Sequence, residues 1–303
     1  MAYIKARTLL NHCFALDEFV PGLCTSLVGS PLIERELALN SALPQASFLR
    51  DHRLLTLFNE ALKGRKQPLE NFTDAQLKEP ASQRNPLTIS VIYYLYSASV
   101  LIPWFFNKGI FVPSHARLQQ IFADSRSEAD LLHACYPLPQ WSIFVSLPFF
   151  ADLTKAEQEQ WPEILRDFGG FYASVMLDEN NEPELGVIMV ESSGLPLERF
   201  KLKLSAATFK DSAAAYLAET HAHYNVFVKE QPENFDEAKF AELEHSMYTL
   251  MPYIIKICAH IAKATDFVNL KGATVTPGNI DPKQGTGGLT HSARLNEQFF
   301  CLN

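Results

Sequence analysis

The chain has no basic surplus. Its 26 lysines and arginines are outnumbered by 34 aspartates and glutamates, giving a formal net charge of −8. Non-specific binding to nucleic acid runs on neutralised phosphates, so direct contact with RNA or DNA is not expected. Paired cysteines are also lacking. Cys13, Cys24, Cys135, Cys258 and Cys301 are odd in number and scattered, which fits reduced thiols in a cytosol and not a disulfide framework. The segment Met1 to Arg7 holds no continuous apolar signal core and no cleavage site, so a cytoplasmic location is expected. No internal repeat is visible.

Familiar catalytic patterns are missing as well. Lys283-Gln284-Gly285-Thr286-Gly287-Gly288 is glycine-rich but has neither the spacing of a phosphate loop nor a strand before it. Glu191-Ser192-Ser193-Gly194 lacks the flanking glycines of a nucleophile elbow. No acidic cluster resembles a two-metal site. His221 and His223 lie two apart, which on a helix sends them to different faces; Cys258 and His260 share that defect. His12 and Cys13 are adjacent and diverge. No enzyme, cofactor or metal is therefore expected. The alternative is a metal-dependent or thiol enzyme, and it requires that two or more of His133, Cys135, His221, His223, Cys258 and His260 converge in space.

What the chain does have is a charge-free stretch. Leu87–Phe106 contains no formal charge, and about 20 apolar residues are enough to cross a bilayer. Three serines and three central tyrosines dilute it, whereas membrane aromatics gather at the interfaces. Asn85-Pro86 supplies a soluble-helix start. The segment reads as a helix buried at the centre of a large domain, not as a membrane span. A tight turn at 107–113, a short helix capped by Ser114 and another at Glu128–Ala134 follow. Trp141–Leu147 reads as a buried strand.

Other elements follow from period and punctuation. Helices are expected over Tyr3–Phe19, Leu32–Leu39, Phe48–Leu62, Thr154–Phe168 (with a Thr154/Glu157 capping box), Phe209–Phe227 and Asp236–Ala264. Pro252 should kink or split the last of these. Arg65–Asn85 reads as a loop with a weak helix at Asp74–Lys78. Phe171–Leu177 and Leu185–Val190 flank a run of turn formers and make a β-hairpin. Phe200–Leu204 alternates strictly and reads as an edge strand with its lysines in water, and Thr265–Leu270 as a last short strand. The expected fold is α+β: an antiparallel sheet of about four to five strands, built on the hairpin at 171–190, with helices from both ends of the chain packed on it. Residues 1–272 form one domain and 273–303 a loose tail.

Aromatic side chains are the richest feature. One reading is simply a large core. The sharper reading is a groove for an apolar peptide, walled by Trp141 and the hairpin face beside Asp178, Glu179, Glu182 and Glu184, with a free strand edge.

Several short motifs recur in a recognisable order: Trp104 before Lys108-Gly109-Ile110; Leu138-Pro139-Gln140-Trp141-Ser142-Ile143-Phe144-Val145; Gly170-Phe171-Tyr172-Ala173; Leu250-Met251-Pro252-Tyr253-Ile254-Ile255-Lys256-Ile257-Cys258; and Leu270-Lys271-Gly272. Over roughly residues 85–272 this ordered set resembles the type V-A anti-CRISPR family, carried by phages and plasmids, which blocks biogenesis of the Cas12a effector. The first 84 residues lie outside the match, and the basic, aromatic C-terminal segment of longer family members is absent. The resemblance implies a non-enzymatic inhibitor in the cytoplasm of a bacterial host. It would recognise the N-terminal segment of nascent Cas12a and lower effector message and protein, with the translating ribosome as a further partner. Motif position nominates Trp141, Phe144 and Phe171 for the peptide, with Asp178 beside them. The alternative is an interaction module of a mobile element with another target.

Overall fold

A computed structural model of the chain describes Ile4, residues 6–19, 79–178, 182–230, 237–279 and 298–302, with positions 59, 73, 75 and 76 besides. The expected helices at Leu32–Leu39 and Phe48–Leu62, and most of the loop at 65–85, lie outside the described residues. The described elements run α1 (Ala6–Phe19), α2 (Pro86–Asn107), β1 (Gly109–Pro113), α3 (His115–Phe122), α4 (Glu128–Ala134), β2 (Ser142–Ser146), α5 (Lys155–Gln160), β3 (Phe168–Leu177), β4 (Pro183–Glu191), β5 (Pro196–Lys203), α6 (Phe209–Glu230), α7 (Glu237–Lys263) and β6 (Gln298–Leu302).

The fold is α+β, around a six-stranded sheet of order β5-β4-β3-β2-β1-β6. Strands β2 to β5 are antiparallel neighbours, as expected from the hairpin. The remaining joints differ from the expectation, because β1 pairs parallel with both β2 and β6. Sequence reading missed these two strands. Ile110-Phe111-Val112 is a short apolar run between Gly109 and Pro113, so turn chemistry masks it. Residues 298–302 follow a Gly- and Thr-rich stretch and look like a tail. They are instead the outer strand, with Phe300 and Leu302 buried. The loose-tail reading is corrected accordingly. Thr265–Leu270 contributes only bridges, Val268 exchanging both backbone hydrogen bonds with Cys301 at 2.7 and 3.0 Å.

Strand side chains alternate between faces, and here both faces are apolar. Ile110, Phe144, Tyr172, Met176, Ile188 and Val190 point to one core, shared with α1 and α2. Phe111, Ile143, Val145, Phe171, Val187 and Phe200 point to the other, shared with α3, α4, α6 and α7. This is why β4 reads as a nearly unbroken apolar run.

Helix α2 starts as the sequence indicates, with the Asn85 side chain accepting from Thr88 N at 2.8 Å and Pro86 in the first turn. It is long and apolar enough to cross a bilayer, yet 83% of its most apolar window is covered by protein. Its approach to the sheet depends on Gly186: a Cβ there would stand 2.9 Å from the Tyr96 hydroxyl and 2.6 Å from Met176 Cε. The Tyr96 hydroxyl takes a hydrogen bond from Val187 N at 3.1 Å and donates to Phe200 O, joining the helix to the β4–β5 ladder.

The remaining helices depart from expectation where proline intervenes. Thr154 and Glu157 form the capping box, but Trp161-Pro162 ends α5 after six residues and β3 already begins at Phe168. Pro252 does not split α7, which runs through it as one element.

Two of the recurring motifs meet in a clasp at the end of α2. Lys108 caps the helix in a left-handed conformation, φ 49°, its N–H bonded to Trp104 O. Trp104 Nε1 donates to Gly109 O at 3.0 Å. Gln140 packs on Gly109 and donates to Gly278 O at 3.0 Å; Asn279 Oδ1 accepts from Trp141 N at 2.7 Å and from Asn107 Nδ2 at 3.2 Å. Lys-Gly-Ile and Leu-Pro-x-Trp are therefore structural signatures, and residues 278–279 of the expected tail are part of the clasp.

A Cβ at Gly109 would lie 1.9 Å from Gln140 Oε1. Gly109→Ala is expected to cost about 1–3 kcal/mol by overpacking in urea denaturation, with less than additive loss in the Gly109→Ala/Gln140→Ala pair. Phe300 stacks on Phe111 with ring centroids 4.9 Å apart, and Phe300→Ala is expected to cost about 3–5 kcal/mol. A change under about 1 kcal/mol would show that β6 is dispensable to the sheet.

Candidate functional site

The residues nominated from sequence are not at the surface. Trp141, Phe144 and Phe171 are each 0% exposed. Phe144 belongs to the core under α2 and Phe171 to the core on the opposite face, so one ligand cannot touch both. Their place is dictated by strand alternation with helices on both sides. Asp178 closes the hairpin: its carboxylate accepts from Glu182 N at 2.8 Å and pairs with Lys203 at 3.4 Å.

A free strand edge is not available at the points where its cover is described. On β5, Tyr216 of α6 donates to Arg199 O, and Ser212 Oγ accepts from Lys203 N at 2.7 Å. On β6, Val268 takes both hydrogen bonds of Cys301. The Lys201 expected in water lies instead under α6, 3.3 Å from Glu219 and 3.9 Å from Glu184.

The histidine and cysteine candidates scatter. His133 meets Ala206 O at 3.2 Å, His260 meets Asp124 at 2.7 Å, and His221 lies tilted against the Phe240 ring. Cys135 and Cys258 do approach each other, both 0% exposed, and burial pushes the Cys135 thiol well up. A buried protonated thiol is a poor nucleophile. Among the described residues no three His, Cys, Asp or Glu side chains gather as metal ligands.

A buried polar network ties α2, β5 and α6 together. Arg84 Nη1 donates to Glu219 at 3.0 Å and to His223 Nε2 at 2.8 Å. Arginine only donates, so Nε2 is the acceptor and His223 Nδ1 carries the proton toward Tyr93 OH, 3.3 Å away. Burial, reinforced by Arg84 and Lys201 against the opposing Glu219, brings His223 down to about 4. Burial likewise pushes Tyr93 up to about 12. For Glu219 burial disfavours the charge, but Lys201 and Arg84 outweigh it and hold the carboxyl below its ordinary range. The cleft these groups line is narrow, and apart from Arg84 Nε their polar atoms are engaged with one another, so this is a staple of the fold.

The open concave surface lies along α7. One cleft of about 320 Å³ is lined by Phe122, Glu128, Leu131, Tyr248, Pro252 and Tyr253. A second, of about 790 Å³, is lined by Glu163, Asp167, Glu191 and His245, and the two meet at Thr249. Helix α7 positions one wall of the first cleft, and the C-terminal end of α3 with α4 the other. Lys256 Nζ donates to Phe122 O at 2.7 Å and His260 to Asp124 at 2.7 Å, pinning α3 to α7. Lysine at a helix C-terminus also meets the negative end of its dipole. Hydrogen bonds from Arg126, then from His260, hold Asp124 well below the usual carboxylate range. Sequence reading missed this groove because its residues come from five separate segments; its one signal was a proline inside an otherwise regular helical pattern.

Comparison with known proteins is sparse. No protein-family model matches the sequence, and no curated protein matches it. Among solved structures the chain is similar to the crystal structure of AcrVA2, over 97% of this chain and 82% of that one, at 13% identity and a TM-score of 0.43. The likeness is distant.

With His223 depressed in the fold, the unfolded chain binds its proton more readily between about pH 4 and 6.5. Its stabilising contribution is full above pH 6.5 and is lost as pH falls toward 4. After allowance for partial solvation the loss is expected to be about 1 kcal/mol. His223→Gln should remove that part of the acid sensitivity in thermal unfolding at pH 4.5 and 7.5; identical pH slopes for both proteins would refute the assignment.

Proposed function

We propose that this protein is a non-enzymatic, polypeptide-binding inhibitor of the anti-CRISPR kind, acting on a type V-A system by engaging the N-terminal segment of Cas12a as it is made. The reading is carried by one observation. Of the motifs that resemble the type V-A anti-CRISPR family, Leu250–Cys258 is the one that lines the groove on α7, through Pro252, Tyr253 and Lys256, whereas the exposed Leu270-Lys271-Gly272 borders neither cleft. The other motifs, Lys108-Gly109-Ile110 and Leu138–Val145, are consumed by the clasp and the sheet. The groove also has the right chemistry for a mixed apolar and basic peptide. Aromatic walls at Phe122 and Tyr253 continue into a cleft bearing Glu163, Asp167 and Glu191, and complementary charge favours encounter and register.

The test is co-expression of the full chain with Cas12a and with a reporter fused to the first Cas12a codons, measuring both messages and both proteins. The expected result is a fall in both, weakened when Tyr253 and Glu163 are replaced by alanine. Unchanged levels, together with no capture of the synthetic Cas12a N-terminal peptide at low and moderate salt, would overturn the proposal. The same pull-down with the Tyr253→Ala/Glu163→Ala protein places the contact.

A further inference from the structure

We propose that Lys108, in the turn that ends α2, is a covalent modification site, whose ε-amine takes an acyl unit from a small acyl phosphate. The site borders neither cleft on α7, and it does not rest on the functional reading above.

The backbone has no need of a lysine at this position. Lys108 sits at φ 49°, in the left-handed region, where glycine is the usual helix-ending residue and a side chain is strained. Both of its main-chain groups are bonded without help from the side chain. The N–H donates to Trp104 O at 2.7 Å, and the carbonyl accepts from Gln298 N at 3.4 Å. Glycine is supplied one residue later, at Gly109, where it makes room for Gln140.

The side chain is covered yet uncommitted. Lys108 is 7% exposed, and its Nζ lies 4.7 Å from the centre of the Phe105 ring. No hydrogen bond or ion pair to Nζ occurs among the described residues, whereas a lysine so buried is ordinarily paired. The ring and the carbonyl end of α2 favour the charge, but neither gives the charge-assisted hydrogen bond of a carboxylate. Among the described residues the ionisable group that acts on it is the Cys13 thiol of α1. Burial outweighs that thiol and draws the ammonium below its ordinary value. Nζ itself is not among the sealed polar atoms that lack a partner, so the amine end meets solvent while its stem is covered.

A desolvating pocket that disfavours the ammonium makes lysine a nucleophile. The Nζ lone pair of the unprotonated amine adds to the carbonyl carbon of the acyl phosphate. The bond from that carbon to the phosphate oxygen breaks, and the leaving phosphate takes the proton shed by nitrogen. The products are an uncharged amide and inorganic phosphate. The charge is thereby lost from the Phe105 ring, and bulk is added at the turn between α2 and β1. Only a small donor suits a side chain so nearly covered.

The experiment treats the full chain with acetyl phosphate at pH 7.5 and follows each lysine by peptide mass spectrometry, with a second sample held unfolded in guanidinium chloride. In the folded chain Lys108 is expected to acetylate about five-fold faster than the exposed Lys155, Lys210 and Lys271, as a larger unprotonated fraction requires. In guanidinium chloride the four rates should converge. Across a pH series the Lys108 rate should level off at lower pH than the other three. Cys13→Ala should keep the advantage, which separates a reactive amine from relay through the thiol. A Lys108 rate equal to or below that of the exposed lysines would overturn the proposal by showing the amine shut away. An advantage that persists in guanidinium chloride, or vanishes in Cys13→Ala, would overturn it by placing the cause in local sequence or in the thiol.

Discussion

Both faces of the central sheet are apolar, and every element is placed by the need to roof them. On one side the charge-free α2 lies against β2, β3 and β4; on the other, α3, α4 and α7 cover the alternate side chains of the same strands. A buried strand tolerates apolar residues at every position, and a buried helix tolerates them all round. These two tolerances explain both the unbroken run in β4 and the absence of charge in α2. They also explain why the aromatic richness of the chain produces core and not surface.

That constraint decides which side chains stay accessible. Aromatic side chains on strands are spent on packing, and the outer strands are met by Tyr216, Ser212 and Val268. Among the described residues a concave surface stays open on the solvent side of α7, the helix whose inner face closes the second core while Tyr248, Thr249 and Tyr253 remain accessible. A surface of this kind recognises through side-chain pockets and field, not through added strand pairing.

Local chemistry was legible in the sequence wherever it alone decides the outcome. The Asn85-Pro86 start, the Ser114 cap and the Thr154/Glu157 box each act over four or five residues, and each is in place, as is the pairing of the two hairpin strands. Strands β1 and β6 were not legible, because β6 is set by its pairing with β1 almost two hundred positions earlier, and β1 by that pairing together with its parallel pairing to β2. The same holds for the site. Trp141, Phe144 and Phe171 looked available because nothing in a sequence says which face of a strand is roofed. Pro252 was visible as an anomaly, but its meaning depends on Phe122 and Glu128, more than a hundred positions away.

The pairing of β6 with β1 also has a consequence for the order of events during synthesis. Chains emerge from the amino end, so β1 and the antiparallel hairpins can associate early, while the partner strand at 298–302 follows almost two hundred positions later. Until then one side of Gly109–Pro113 offers a row of unsatisfied amides and carbonyls, the kind of border that recruits strangers. Closure of the sheet is thus a late, long-range event, and the nascent protein passes through a stage in which its most exposed liability is the strand that the finished molecule hides best.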